Sequence, residues 1–246
     1  MELRIDTHTH TTMSGHAFST LLENVEFAAK HGLEGIVASE HGPAVPGAQP
    51  GYSAGILRTL PEEYNGVRIY RGGEANILNA GGKIDIKEKY LQIMDLVIAS
   101  LHETSYESSD EDKATTAMIN ALDNPYVDVI GHPGNPYYSV DFETVVKHAQ
   151  KRGKLLEVNN HSFVVREGSQ TTCRQVIRLC KEYGVPILVS SDAHVCFNIG
   201  VFDQAKAILK EENFPEELIY SRNRQAFEEY LEKKGQRLNN LGLRWK

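Results

Sequence analysis

Leu3–His10, LRIDTHTH, is the stretch on which the fold turns. It begins as an apolar, β-type run and ends in His8-Thr9-His10. In a parallel α/β protein, the residues after the first strand separate two architectures. A Gly-rich phosphate loop there marks an open, doubly wound sheet. Histidines stand in that place here, which favours a closed barrel with its site at the C-terminal ends of the strands.

Six further apolar runs follow: EGIVASEHG (34–42), VRIYRGGEANI (67–77), DLVIASLHE (95–103), VDVIGHPG (127–134), KLLEVNNHS (154–162) and PILVSSDAH (186–194). They scarcely alternate, as expected of strands buried on both faces. Amphipathic stretches separate several of them. In TLLENVEFAAKHG (20–32), Leu21, Leu22, Val25, Ala28 and Ala29 keep helical spacing, Thr20 and Glu23 form a capping box, and Gly32 is a stop. In DFETVVKHAQKRG (141–153), Phe142, Val145, Val146 and Ala149 share a face that ends at Gly153. QTTCRQVIRLCKEYG (170–184) and FDQAKAILKEE (202–212) repeat the theme. The expected fold is an α/β, TIM-like barrel of seven parallel strands with outer helices, residues 1–246 forming one domain. The Pro/Gly-rich segment GPAVPGAQPGYSAG (42–55) reads either as a substrate-covering loop or as a long connection.

Composition narrows the partners. A net charge of −7 argues against a nucleic-acid backbone. No run of 18 apolar residues suggests a membrane helix. The start MELRIDTHTH lacks a basic region followed by an apolar core, so the expected location is the cytoplasm. Cys173 and Cys180 lie seven apart in a helical-looking segment, roughly 10 Å along its axis, too far for a bridge. With Cys196 they are read as reduced, buried thiols.

The chemistry lies at the strand ends. The first strand ends in His8 and His10, with His16 in the loop beyond. Five of the other six end in His41, Glu74, His102, His132, and Asp192 with His194, and KLLEVNNHS offers only the ambiguous His161. Seven of the ten histidines thus fall at one end of the barrel or in its first loop, which a random scatter would not produce. Histidine is the commonest metal ligand, and Asp and Glu add oxygen donors. Residues i and i+2 of a strand share a face, so His8 with His10, and Asp192 with His194, can each serve one site. A lone histidine at a strand end is more often structural, and H-x-H alone is weak; nine such positions on one rim point to a metal cluster. Of the rest, His31 suits a helix C-terminus, His148 a polar helix face, and His161 stands ambiguously at the mouth. Arg71, Arg166 and Arg174 could contact a substrate phosphate, but are assigned first to the surface or to ion pairs. Asp6 is expected to support a ligand rather than be one.

The motifs DTHTHTTMSGHAFST, SEHGP, GGEANIL, LHE, GHPGNPYY, LEVNNHSF and SSDAHV, in this order, resemble the PHP (polymerase and histidinol phosphatase) family, most closely its YcdX-type stand-alone phosphatases. The resemblance covers essentially the whole chain. It implies a distorted (β/α)7 barrel holding three divalent metals, usually zinc. It implies that His8, His10, Glu74 and Asp192 bind the first metal, that His102 and His132 bind the second with Glu74 bridging, and that His16, His41 and His194 bind the third. A homotrimer is admitted by the same resemblance.

Three divalent ions against two carboxylates leave about +4 in the cavity, a site for anions. Zinc lowers the pKa of bound water to roughly 7, so a metal-bound hydroxide is available to attack phosphorus. The expected activity is hydrolysis of small phosphomonoesters, phosphorylated metabolites, by a trinuclear centre. Zinc suits histidine-rich sites, with manganese or iron as alternatives. Three rivals are weighed. A barrel amidohydrolase also opens with H-x-H, but usually bridges two metals through a carboxylated lysine at strand 4; here strand 4 ends in His102, and Glu74 and the extra His16 fit a larger cluster. A PHP-type phosphodiesterase or nuclease shares the chemistry but would want a basic track. A regulatory metal-binding protein would keep the ligands without turnover.

Overall fold

The computed structural model describes residues 1–246. Its strands are β1 (Ile5–Thr9), β2 (Gly35–Ala38), β3 (Glu63–Tyr64), β4 (Val67–Asn76), β5 (Leu96–Ser100), β6 (Val129–Ile130), β7 (Leu155–Asn159) and β8 (Ile187–Ser190). Its α-helices are α1 (Leu21–Lys30), α2 (Glu88–Leu91), α3 (Glu111–Asp123), α4 (Phe142–Arg152), α5 (Ser162–Val165), α6 (Ser169–Tyr183), α7 (Asp203–Glu211) and α8 (Arg224–Asn240). The capping box at Thr20 and Glu23 starts α1 as its sequence suggests, and α4 stops at Gly153 in the left-handed region, φ 62°. No helix is long and apolar enough to cross a membrane. Cys173, Cys180 and Cys196 are buried and unbridged.

The seven long-range strands run parallel in the order β1-β2-β4-β5-β6-β7-β8, and β3 adds a short antiparallel flap to the start of β4. Between β8 and β1 the sheet nearly closes into a barrel. A single parallel bridge, Thr9 with Ala193, joins them, and the His10 amide donates to the Ala193 carbonyl at 2.9 Å. Asp6 reinforces this seam: its carboxylate accepts from the Ser191 amide (3.0 Å), the Ser191 hydroxyl (2.5 Å) and the Gly200 amide (2.9 Å). Complete burial pushes the Asp6 carboxyl up to about 6 despite those donors.

Two apolar layers hold the fold. The larger fills the space between strands and helices. The smaller lies inside the barrel, where Ile5, Val37, Leu96, Ile98, Leu155 and Leu188 meet Phe227, Tyr230 and Leu231 of α8. Helix α8 therefore plugs the end where the strands begin. The opposite end is free to carry polar side chains.

One strand departs from the simple pleat. The β1–β2 register shifts between Asp6 and Thr9. Ile5 belongs to the inner apolar layer, and His8, an odd number of residues later, also faces the interior. A regular two-residue repeat from Ile5 would have turned Thr7 and Thr9 inward instead. The irregularity aims both histidines at the mouth.

Candidate metal centre

The inward positions of β2, β4, β5 and β8 continue two by two beyond the apolar layer, and with the irregular ends of β1 and β6 they deliver the polar residues to one place. Glu74, at the end of β4, is central. Its Oε1 lies 3.1 Å from His102 Nε2 and 3.0 Å from His132 Nε2. Its Oε2 lies 3.3 Å from His8 Nε2, 3.6 Å from His10 Nε2 and 2.6 Å from His41 Nδ1. Asp192 Oδ1 faces the same two first-strand histidines, at 3.7 Å from His8 and 3.2 Å from His10. At the outer edge, His194 Nε2 and His16 Nε2 are 3.0 Å apart, and the His16 ring stacks on His41 with centroids 4.9 Å apart. All nine residues expected from the sequence meet in this cluster.

The arrangement fits metal ions on its own evidence. His8 Nε2, His10 Nε2, His41 Nδ1, Glu74 Oε2 and Asp192 Oδ1 are buried, close together, and not aligned for hydrogen bonding. Buried polar atoms left in this way are costly, and five of the eleven in the chain converge here. Three sets, His8-His10-Glu74, His41-Glu74-His102 and His10-His41-His194, each bring their ligand atoms within 4.8 Å of one another.

Local charge favours the forms that ligate. Burial raises the Glu74 carboxyl, but His102, His8 and His41 outweigh it and hold the group well below the usual range. Asp192 is likewise raised by burial and lowered further by His8 and His10. Burial, then neighbouring His41, lowers His10 and His16, and burial with Arg166 lowers His132. Neutral imidazoles and ionised carboxylates are what metals require. His8 and His41 move the other way: burial lowers each, but carboxylates, Glu157 first for His8 and Glu74 for His41, raise them above the ordinary imidazole value.

Two of the clustered residues sit on unusual backbone. His132 (φ 30°) and Asp192 (φ 51°) lie at positive φ, a region side-chain-bearing residues seldom enter. Such strain concentrates at functional sites.

A cleft of about 470 Å³ opens above the cluster. Beside the histidines and Asp192 it is lined by Val45, Glu103, Thr104, His161, Val165 and Arg166. Arg166 is the single Lys or Arg side chain among the lining residues, and its Nη1 donates to Ser162 Oγ at 2.6 Å. This position departs from the surface assignment and keeps the alternative of substrate contact; Arg166 follows a buried strand by way of the one-turn helix α5, which periodicity does not reveal. Arg174 does pair at the surface, with Glu211 and Glu212, and Arg71 reaches only the Leu60 carbonyl. His161 stacks toward His194, with centroids 6.0 Å apart. His31 caps α1 and bonds the Ile199 carbonyl; His148 pairs with Asp123. Within 42–55, Val45 walls the cleft while the Ala44 amide is tied to Asp85 and the Gln49 amide to Met13, so this segment forms part of the rim. Asp6 touches none of the cluster's side chains; its partners lie along the seam.

Three supporting groups escaped the sequence reading. Asn76 Oδ1 accepts from His102 Nδ1 at 2.6 Å, and Asp85 fixes the amide from behind at 2.7 Å. His10 Nδ1 reaches Ser14 Oγ at 2.9 Å, which donates to Glu40 at 2.6 Å. Glu157 lies 2.7 Å from His8 Nδ1. The last had a visible signal, an acidic residue inside the buried run LLEVN.

The chain was compared with known proteins. A family model described as PHP-associated matches residues 170–202. A probable phosphatase of Caldanaerobacter subterraneus subsp. tengcongensis is 46% identical over 100% of this chain and 97% of its own length. A probable phosphatase of Acetivibrio thermocellus is 44% identical over 97% of this chain and 99% of its own. Among solved structures, histidinol phosphate phosphatase from Lactococcus lactis, complexed with zinc, L-histidinol and phosphate, aligns with a TM-score of 0.64 at 20% identity, covering 87% of this chain and 95% of that one. That likeness is one of fold; the end-to-end matches at more than 40% identity are one of family. The chain belongs to the PHP (polymerase and histidinol phosphatase) family, in the group of proteins named probable phosphatases.

Proposed function

We propose that this protein is a metal-dependent phosphatase that hydrolyses small phosphomonoesters at a three-metal centre. One observation carries the reading: buried, unpaired ligand atoms converge on Glu74 beneath an open cleft whose lining includes one guanidinium. His8, His10, Glu74 and Asp192 would hold one ion, His102 and His132 a second with Glu74 shared, and His16, His41 and His194 a third. The split of Glu74, with Oε1 toward His102 and His132 and Oε2 toward His8, His10 and His41, supports the sharing. Histidine-rich donors suit zinc, with manganese or iron as alternatives. Bound divalent ions supply a hydroxide nucleophile at neutral pH and positive charge against the phosphoryl oxygens.

The chain's own groups do the rest. Arg166 offers a planar, permanently charged fork to the ester's phosphate, and Ser162 keeps it oriented. The cleft volume suits a small phosphorylated metabolite. A net charge of −7 disfavours a polyanionic strand as substrate. The test is metal analysis of purified protein together with a panel of phosphate esters. Turnover of monoesters by the loaded protein, with Arg166→Ala raising KM, is the expected result. No hydrolysis of any ester at full metal loading overturns it, and preferential cleavage of oligonucleotides points to the phosphodiesterase reading instead.

A further inference from the structure

Strand β7 contributes none of the nine clustered residues, yet Glu157 at its centre touches three of the neighbouring strand ends. Its Oε1 lies 2.7 Å from His8 Nδ1 and 2.6 Å from Ser190 Oγ. Its Oε2 lies 2.6 Å from the His132 amide and 3.3 Å from Asn159 Nδ2. The orientation of Asn159 is fixed independently, because its Oδ1 accepts from the Ser162 amide at 2.9 Å and its Nδ2 also donates to Asp192 Oδ2 at 3.0 Å.

Around Oε2, both partners are obligatory donors, a backbone N–H and an amide N–H, so an acceptor must stand there. A carboxylate also presents an acceptor at Oε1, toward His8 Nδ1. In the neutral ring that a metal requires, His8 must then carry its hydrogen on Nδ1, which leaves the Nε2 lone pair facing Glu74 and Asp192. A glutamine could satisfy the Oε2 side only by turning its NH₂ toward His8. Nδ1 would become the acceptor, and the ring hydrogen would move to Nε2, into the space where a ligand's lone pair is needed.

We propose that Glu157 is the positioning residue that keeps His8 competent as a ligand, and that through the His132 amide and Asn159 it couples the first two metal positions. This rests on the metal-dependent reading above. The experiment is a chelator competition on the zinc-loaded protein, with visible absorption of the cobalt(II)-substituted form as a second readout. Glu157→Gln is expected to release metal 10–100-fold more readily and to shift the cobalt spectrum, while circular dichroism keeps the parent's secondary structure. Ser190→Ala removes one donor and leaves the carboxylate, so it should stay within a few-fold of the parent. If Glu157→Gln does not fold, Glu157→Asp is read in its place; it keeps the charge, shortens the reach, and should weaken metal retention by a smaller factor. Parent-like affinity and spectrum in whichever of the two folds overturns the proposal. A parent chain that retains no metal overturns the metal-dependent reading itself, a result these variants cannot imitate.

Discussion

Along β4, Tyr70 lies in the plugged apolar layer, and Glu74, four residues on, lies at the heart of the cluster; Leu188 in β8 with Asp192 just beyond it, and Ile98 in β5 with His102 just beyond it, are spaced alike. The same four residues, roughly 13 Å of strand, separate the two ends of the barrel on three of its staves. The ends treat buried charge in opposite ways. At the closed end Lys234 Nζ donates to the Met94 and Asp95 carbonyls and to Asp128 at 2.6 Å, and Lys154 Nζ donates to the carbonyls of Asn124, Pro125 and Val127. Each ammonium has three donors and three acceptors. At the open end the ligand-type atoms of Glu74, Asp192 and three histidines have no such partners. Satisfied charge belongs to the scaffold; unsatisfied charge, held in place by the scaffold, marks where something else binds.

The sharpest way to break this contrast is Glu74→Ala. Losing a group shared between metals should remove more than one metal per chain and cost several kcal/mol of transition-state stabilisation, about 10³-fold in kcat/KM. Retention of the full metal complement by elemental analysis would sink the bridging role. The complementary change is Phe227→Ala in the α8 plug, where the side chain is fully buried. It should lower stability by about 3–5 kcal/mol in urea unfolding, yet leave the metal stoichiometry of the folded protein unchanged; metal loss there would show that the two ends are not separable. The smallest effect concerns Lys154. Burial, with Arg237 next, lowers its amine from 10.5 to about 7. Between those values the unfolded chain binds the extra proton, so stability rises with pH, by up to about 1.4 kcal/mol per unit from this group. Below pH 7 the contribution is flat. Lys154→Met should abolish that rise between pH 7.5 and 10, measured as the difference between the two chains' urea midpoints; parallel profiles would refute it.

The barrel and the nine clustered positions were legible because strand ends carry chemistry and apolar runs carry strands. His8 and His10 could be paired from their spacing alone. The register shift in β1 that lets them share the interior with Ile5 could not, since a two-residue repeat contains no sign of a local irregularity. Asp6 misled for a related reason. Its neighbours in sequence are cluster residues, but its carboxylate is spent on the β1–β8 seam, a contact across 185 residues of chain. Arg166 was hidden behind a four-residue helix too short to show periodicity. Glu157 was the residue most open to inference, because a carboxylate inside a fully buried strand requires a partner.

The left-handed turn at Asp192 has a practical consequence. Asparagine tolerates that backbone better than almost any other residue with a side chain, and it matches aspartate in size. Asp192→Asn therefore keeps the turn, the Asn159 neighbour and the shape of the cleft while withdrawing one anionic donor. A folded protein of that kind, slow to turn over but still shaped for its ester, is a bait with which the physiological substrate could be fished from a cell extract.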